Sequence, residues 1–234
     1  MTASLDIRNQ FEEILEAARS QDRSNQAATM VVLSHLQQMT LLMIKKGLSF
    51  YCDQDTFKSR TKFIHDVIEL NRLDIRFPAI IRNFLIDGSG LFYFRPDPKL
   101  KYQIYFFNKK QYRVYHDANG QIDEVVILYD YKVKNNNLGL PSDVYGQNKR
   151  YVRLSITADE ITENESDTEL SFELEPGGVL TADRKRPNQL GFVPAVEVLN
   201  KPNASGTEGE GDFDPFMEQI VLHNDMITNI AKNI

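Results

Sequence analysis

A single cysteine, Cys52, occurs in 234 residues, so no internal disulfide can form and the chain fits a reducing compartment. A lone Cys beside a candidate strand most often serves as a small buried hydrophobe. Positive charge is not in excess either. Lys and Arg number 27 against 33 Asp and Glu, for a net charge of -6 and a pI near 5.3, which argues against tight phosphate-backbone binding over the whole surface. The most apolar window, residues 29–50, is interrupted by Ser34, His35, Gln37, Gln38, Lys45 and Lys46, too polar for a membrane span. The opening residues, MTASLDIRNQFEEILEAARSQ, carry no basic segment followed by an apolar core, so they do not read as a secretory signal. No repeat recurs at a fixed period.

Chemistry-bearing patterns are equally sparse. The four histidines, His35, His65, His116 and His223, include no pair at the i, i+4 spacing that places two ligands on one helix face. Gly88 and Gly90 resemble half of a dinucleotide fingerprint, but they follow an expected helix and precede an expected strand, the reverse of the order that aims amides at a phosphate. The loop at 206–211 has no Gly-Lys-Ser or Gly-Lys-Thr, and its acids would repel a triphosphate. Glu208, Glu210, Asp212 and Asp214 depart from the spacing of a calcium loop. No catalytic residue, metal ligand or cofactor is expected. The chain does not read as an enzyme.

What is present is a change of period. Residues 5–18 place Leu5, Phe11, Ile14, Leu15 and Ala18 near helical spacing, and a second apolar helix is expected from Ala27 to about Lys46, capped by Gly47. Residues 48–52 read as a short strand. Asp55 or Thr56 is placed to cap a helix over 57–70, with Phe63, Ile64, Val67 and Leu70 as its core face. A further helix, with Pro78 in its first turn and Ile80, Ile81, Phe84 and Leu85 inward, stops at Asp87-Gly88-Ser89-Gly90. Strands are then expected at 91–95, closed by Pro96, and at 102–107, 112–116, 122–133, 151–156, 169–174 and 192–199. Asn119-Gly120 supplies the hairpin turn between the third and fourth, and the Asn, Gly and Pro residues at 135–146 mark a long loop.

Two biased stretches interrupt this pattern. Lys99, Lys101, Lys109, Lys110 and Arg113 are interleaved with nine aromatics between Phe92 and Tyr115, an arrangement that single-strand platforms use but that sheet cores and cross-strand pairs also produce. The sheet reading is favoured. Residues 159–175 hold eight acids and no Lys or Arg, which reads as a solvated face.

The chain ends with LGFVPAVEVLN, then KPNASGTEGEGD, then FDPFMEQIVLHNDMITNIAKNI: a strand, a glycine-rich acidic loop and a helix. Met217, Ile220, Val221, Ile227, Ala231 and Ile234 form an apolar stripe still in phase at the last residue. A helix from Phe213 onward would be long, about 33 Å, and is expected to continue past residue 234. The fold class predicted is α+β: N-terminal helices over 1–48, a mixed domain of helices and antiparallel or mixed sheet over 49–212, and the start of a long helix over 213–234.

In this order the segments resemble the portal, or head-tail connector, proteins of tailed bacteriophages of the SPP1-like class. The likeness is carried by FKSRTKFIHDVIELN, the following helix, DGSGLFYFRPD, the hairpin with EVVILYDY, and then LGFVPAVEVLNKP, the acidic loop, Asp214-Pro215 and VLHNDMITNI. It covers most of residues 50–234, with Gly88, Gly90, Leu190, Gly191, Pro194, Asn200 and Asp214 as the signature positions. The resemblance implies a ring, usually a dodecamer, at the unique vertex of a capsid in the virion, assembled in the host cytoplasm. Through it double-stranded DNA passes non-specifically during packaging and ejection. Its implied partners are further copies of itself, the major capsid protein, terminase and neck or adaptor proteins, with no membrane. Residues 49–212 would be the peripheral wing, and the last helix would lead towards a stem. Two other readings stay open: a metal-dependent enzyme using the acidic loop, and a scaffold or adaptor module outside a phage.

Overall fold

A computed structural model describes residues 2–20, 27–44, 58–97, 101–132, 149–173, 184–204 and 206–232. Among them are five α-helices, α1 (Thr2–Ser20), α2 (Ala27–Ile44), α3 (Lys58–Leu70), α4 (Leu73–Asp87) and α5 (Met217–Lys232), with a 3-10 turn at Asp214–Phe216. Eight strands are β1 (Ser89–Asp97), β2 (Lys101–Asn108), β3 (Tyr112–His116), β4 (Ile122–Lys132), β5 (Lys149–Thr157), β6 (Glu160–Ser166), β7 (Arg184–Pro187) and β8 (Ala195–Leu199). They form a three-stranded sheet of order β2-β1-β8 and a five-stranded antiparallel sheet of order β3-β4-β5-β6-β7. The fold is α+β. The cap at Gly47, the strand at 48–52, Cys52, the cap at Asp55 or Thr56 and the loop at 135–146 lie outside the described residues.

The chain divides into two compact units, one of residues 1–90, 95–106 and 197–234, the other of 91–94 and 107–196. In the first, a helical core gathers Phe11, Ile14 and Leu15 of α1, Val32, Leu33 and Leu36 of α2, Ile81, Leu85 and Ile86 of α4, and Phe213 and Val221. These are the residues whose helical spacing faces inward, and each fully buried Leu or Ile contributes about 1.5–3 kcal/mol relative to exposure. Pro78 lies inside α4 rather than in its first turn, because the helix already starts at Leu73. The carbonyl it leaves without an N–H partner belongs to Asp74, which is exposed to water. Of the expected core face of α3 only Val67 is buried; Phe63, Ile64 and Leu70 are exposed. Amphipathic spacing fixes which residues share a face, not whether another element covers it.

The terminal helix is also shorter than expected. Asp214–Phe216 is a separate 3-10 turn, and α5 has 16 residues, about 24 Å of rise. Val221 is buried, and Met217 and Ile220 pack on the helical core. A second stripe at four-residue steps, Leu222, Met226 and Ile230, is 63%, 56% and 58% exposed.

In the second unit the hairpin forms with β3 paired to β4 as expected. Only Gly120 of the Asn-Gly pair takes positive φ, at 78°. Asp117 takes up the other turn donors, its Oδ1 accepting from the backbone N–H groups of Asn119 and Gln121 at 2.8 Å each. Val125, Ile127, Val152, Leu154, Ile156 and Ile161 are buried, and the strand register sets them on one face of the sheet.

Two strands were not legible from apolar alternation. The expected strand at 169–174 is absent over its described residues, 169–173, and the acidic run instead forms β6, paired to the basic β7. Lys185 Nζ lies 2.6 Å from Glu160 and Arg184 Nη1 3.7 Å from Glu163. Such surface pairs contribute less than about 1 kcal/mol each, but like charge next to β6 would cost a similar amount, so they favour this register. Most of the acids at 160–166 thus face basic or polar partners rather than bare solvent.

Candidate functional site

The candidate site is the backbone knot where the acidic loop meets the end of α4. That helix stops because Gly88 takes the left-handed conformation, φ 73°, while its N–H still donates to Phe84 O. The Gly88 carbonyl then accepts from Asn200 N at 2.7 Å, and Asn200 O accepts from Glu210 N at 2.8 Å. Asp212 N donates to Leu85 O at 2.8 Å. The Asn200 amide closes the ring, Nδ2 donating to Glu210 O at 3.1 Å and to Asp212 Oδ1 at 3.0 Å. Farther out, Asn203 N donates to Glu208 O, and Asn203 Oδ1 accepts from Thr207 N. A stretch with the composition of a free acidic hinge is therefore stitched along both sides.

Glycine is required here by contact between backbones. A Cβ on Gly209 would overlap the carbonyl oxygen of Gly88, and one on Gly211 would overlap Ile86 O. A Cβ on Gly88 would come within 2.5 Å of Glu210 C and Gly211 N. Asp214 caps the exit of the loop, its Oδ2 accepting from Gly211 N at 2.8 Å.

Asp212 is the charged centre of the knot, its side chain 10% exposed. Lys201 Nζ lies 2.9 Å from Oδ1 and His35 Nε2 3.7 Å from Oδ2, and the His35 ring meets Phe213 edge-on at 5.3 Å. Burial pushes the carboxyl pKa up, but the Asn200 amide and the Lys201 ammonium outweigh it, with His35 adding to them, so the net shift is downward. Lys201 itself sits at φ 45°, which costs on the order of 1 kcal/mol for a residue with a Cβ. Its ion pair offsets that strain.

A depressed carboxyl pKa stabilises the fold above the unfolded-state value and is lost as pH falls through the folded one. Asp212→Asn is expected to lower stability by about 1 kcal/mol near neutral pH, at the lower end for a charged hydrogen bond because Lys201 is half in solvent. The gap from wild type should close below about pH 4. Urea midpoints measured at both pH values check this; a gap independent of pH would show that the charge of Asp212 is immaterial.

The signature positions fall into three places. Gly88, Asn200 and Asp214 meet in the knot. Gly90 lies in β1, where a Cβ would strike the ring of Phe106. Leu190, Gly191 and Pro194 precede β8 in a turn organised by Asn188, whose Oδ1 accepts from Leu190 N and whose Nδ2 donates to Phe192 O. Gly191 has φ 68°, and Pro194 O accepts from Phe94 N at 2.9 Å. The strand expected over 192–199 therefore begins only at Ala195. His35, Lys201, Gly209 and Gly211 were not singled out by the signature. The Gly209-x-Gly211 spacing was the available signal for the glycines, and nothing local marks His35.

Among the described residues no three or more His, Cys, Asp or Glu side chains converge as metal ligands. Of the acids in the metal reading, Asp212 and Asp214 are engaged as above, while Glu208 and Glu210 point outward as exposed residues. The aromatic span contributes to sheets: Tyr93, Phe107 and Tyr112 are buried, and only Tyr115 among the nine is largely exposed. No helix among the described residues is long and apolar enough to cross a membrane. The chain matches no protein-family model, and no curated protein is significantly similar to it.

Proposed function

We propose that this chain is the wing portion of a tailed-bacteriophage portal protein, a non-enzymatic ring subunit at the capsid vertex. In this reading the ring passes double-stranded DNA and docks terminase and neck or adaptor proteins. The observation that carries the reading is the order of the segments: helix, helix, Gly-x-Gly strand entry, hairpin, Leu-Gly-x-x-Pro turn and strand, acidic loop, terminal helix. Two further features support it. Two of the signature segments, DGSGLFYFRPD and LGFVPAVEVLNKP, are tied together at Gly88 and Asn200, and the open stripe of Leu222, Met226 and Ile230 is the kind of surface that neighbouring subunits cover in a closed ring. The net charge of -6 suits a conduit in which DNA slides, since each fixed cation on a phosphate adds salt-sensitive affinity.

The product of the complete gene is expected to form rings by negative-stain electron microscopy, with a light-scattering mass many times that of one subunit. Met226→Glu should weaken assembly without lowering the melting temperature of the dissociated subunit. A strictly monomeric wild-type product would overturn the proposal.

A further inference from the structure

The five-stranded sheet carries a buried cation that no acid among the described residues neutralises. Arg153, in β5 at the centre of the sheet, is 8% exposed. It is directly opposite Leu128 on β4 and Asn164 on β6, far from either end of its strand. Among the described residues its guanidinium makes one long hydrogen bond, Nη2 to Phe172 O at 3.4 Å, and its Nε is buried without a partner. Among the described residues no carboxylate lies within ion-pair distance of it. The acids of the same sheet face are engaged elsewhere: Glu124 accepts from Ser155 Oγ at 2.5 Å, and Glu160 pairs with Lys185. Asp130 and Asp167, towards the strand ends, pair with Lys149 and Arg150.

An arginine keeps its charge in a protein, and a guanidinium taken out of water without a compensating charge is costly. A second guanidinium approaches the same place. Arg113 of β3 shares this sheet face through the register Arg113 to Val126 to Ser155, and its Cζ lies 4.5 Å from the centre of the Phe172 ring. Phe172 thus meets Arg153 through its carbonyl and Arg113 through its ring. The Nε edge of a guanidinium, together with Nη2, is the fork that receives an oxyanion through two parallel hydrogen bonds.

We propose that this face of the sheet, beneath Phe172, is a binding site for a small oxyanion of the phosphate class, held by the Nε edge of Arg153 and by the charge of Arg113. Two cations, with no carboxylate within ion-pair distance of Arg153 among the described residues, match a dianion. The depth of Arg153 favours a small inorganic ion over a phosphate within a polymer. This site is independent of the portal reading, which neither requires it nor fails with it.

The test uses the full chain with inorganic phosphate as the probe, against chloride at equal ionic strength. Saturating phosphate is expected to raise the melting temperature by on the order of 5 °C, and equilibrium dialysis should find one phosphate per chain. Arg153→Met should abolish both effects. Arg113→Gln, at an exposed position that keeps the fold measurable, should weaken phosphate binding about tenfold. A phosphate effect no larger than that of chloride overturns the proposal, as does one unchanged in Arg113→Gln or retained in Arg153→Met. Lower stability of Arg153→Met in chloride, with phosphate inert on wild type, also overturns it and assigns the counter-charge to the chain itself. A short single-stranded oligonucleotide that stabilises where phosphate does not would likewise overturn the small-ion assignment.

Discussion

Gly209→Ala is expected to lower the unfolding free energy by about 3 kcal/mol, whereas Gly206→Ala, three residues earlier in the same loop, should cost only about 1 kcal/mol. The two positions separate conformational cost from contact. Gly206 has φ 69° but nothing within 4 Å of an added Cβ, so alanine pays only the left-handed penalty. Gly209 has no positive φ to preserve, yet its added methyl would enter the Gly88 carbonyl and approach Asn200 N and O at 2.9 Å. All of these are backbone atoms, which cannot rotate aside. To admit alanine the loop must lift away, breaking the Asn200 to Gly88 and Glu210 to Asn200 hydrogen bonds, each worth about 1 kcal/mol. Urea denaturation of both variants measures the difference. Equal losses would mean that the loop does not rest on the end of α4.

Asn71→Ala should be nearly as damaging, at about 3 kcal/mol, although Asn71 belongs to no helix or strand. It follows α3 and is buried. Its Nδ2 donates to Val67 O at 2.9 Å and to Tyr102 O at 2.7 Å, and its Oδ1 accepts from Ile104 N at 2.8 Å. Tyr102 and Ile104 lie in β2, at the edge of the three-stranded sheet among the described residues, so this amide bonds the backbone groups that a neighbouring strand would otherwise pair with. Arg76 continues the same edge, Nη1 donating to Ile104 O at 3.0 Å. Alanine would leave buried backbone groups without partners, at about 1–3 kcal/mol each, and would uncover a strand edge able to pair with another chain. Asn71→Asp is expected to be no better than alanine, because it keeps the acceptor for Ile104 N but turns a carboxylate towards two carbonyls. Melting temperature and light scattering on heating report the two consequences; an aspartate variant as stable as wild type would show that the donor side of the amide is unimportant.

Much of the fold was legible along the chain because its determinants are local. The apolar spacing of α1 and α2, the stop at Gly88, and the β3–β4 hairpin each depend on residues within a few positions of one another. The same local signal misled in particular places. It gave α3 a core face that three of its four residues do not bury, made one long helix of the 3-10 turn and α5, and began the last strand before the Asn188 turn had ended.

The candidate site was legible only in part. Gly88, Asn200 and Asp214 could be marked by their order, but the reason they belong together is a set of hydrogen bonds between segments more than a hundred residues apart. Charge shows the same division. Composition could mark 159–175 as acidic, yet only pairing with β5 and β7 made part of it a strand, and only the burial of Arg153 distinguished that cation from the others described. The sequence by itself determined where the backbone would turn, because glycine conformation and side-chain period act over a few residues. The tertiary structure alone decided which glycines had to be bare and which charges lost water, because those depend on what a distant segment brings against them.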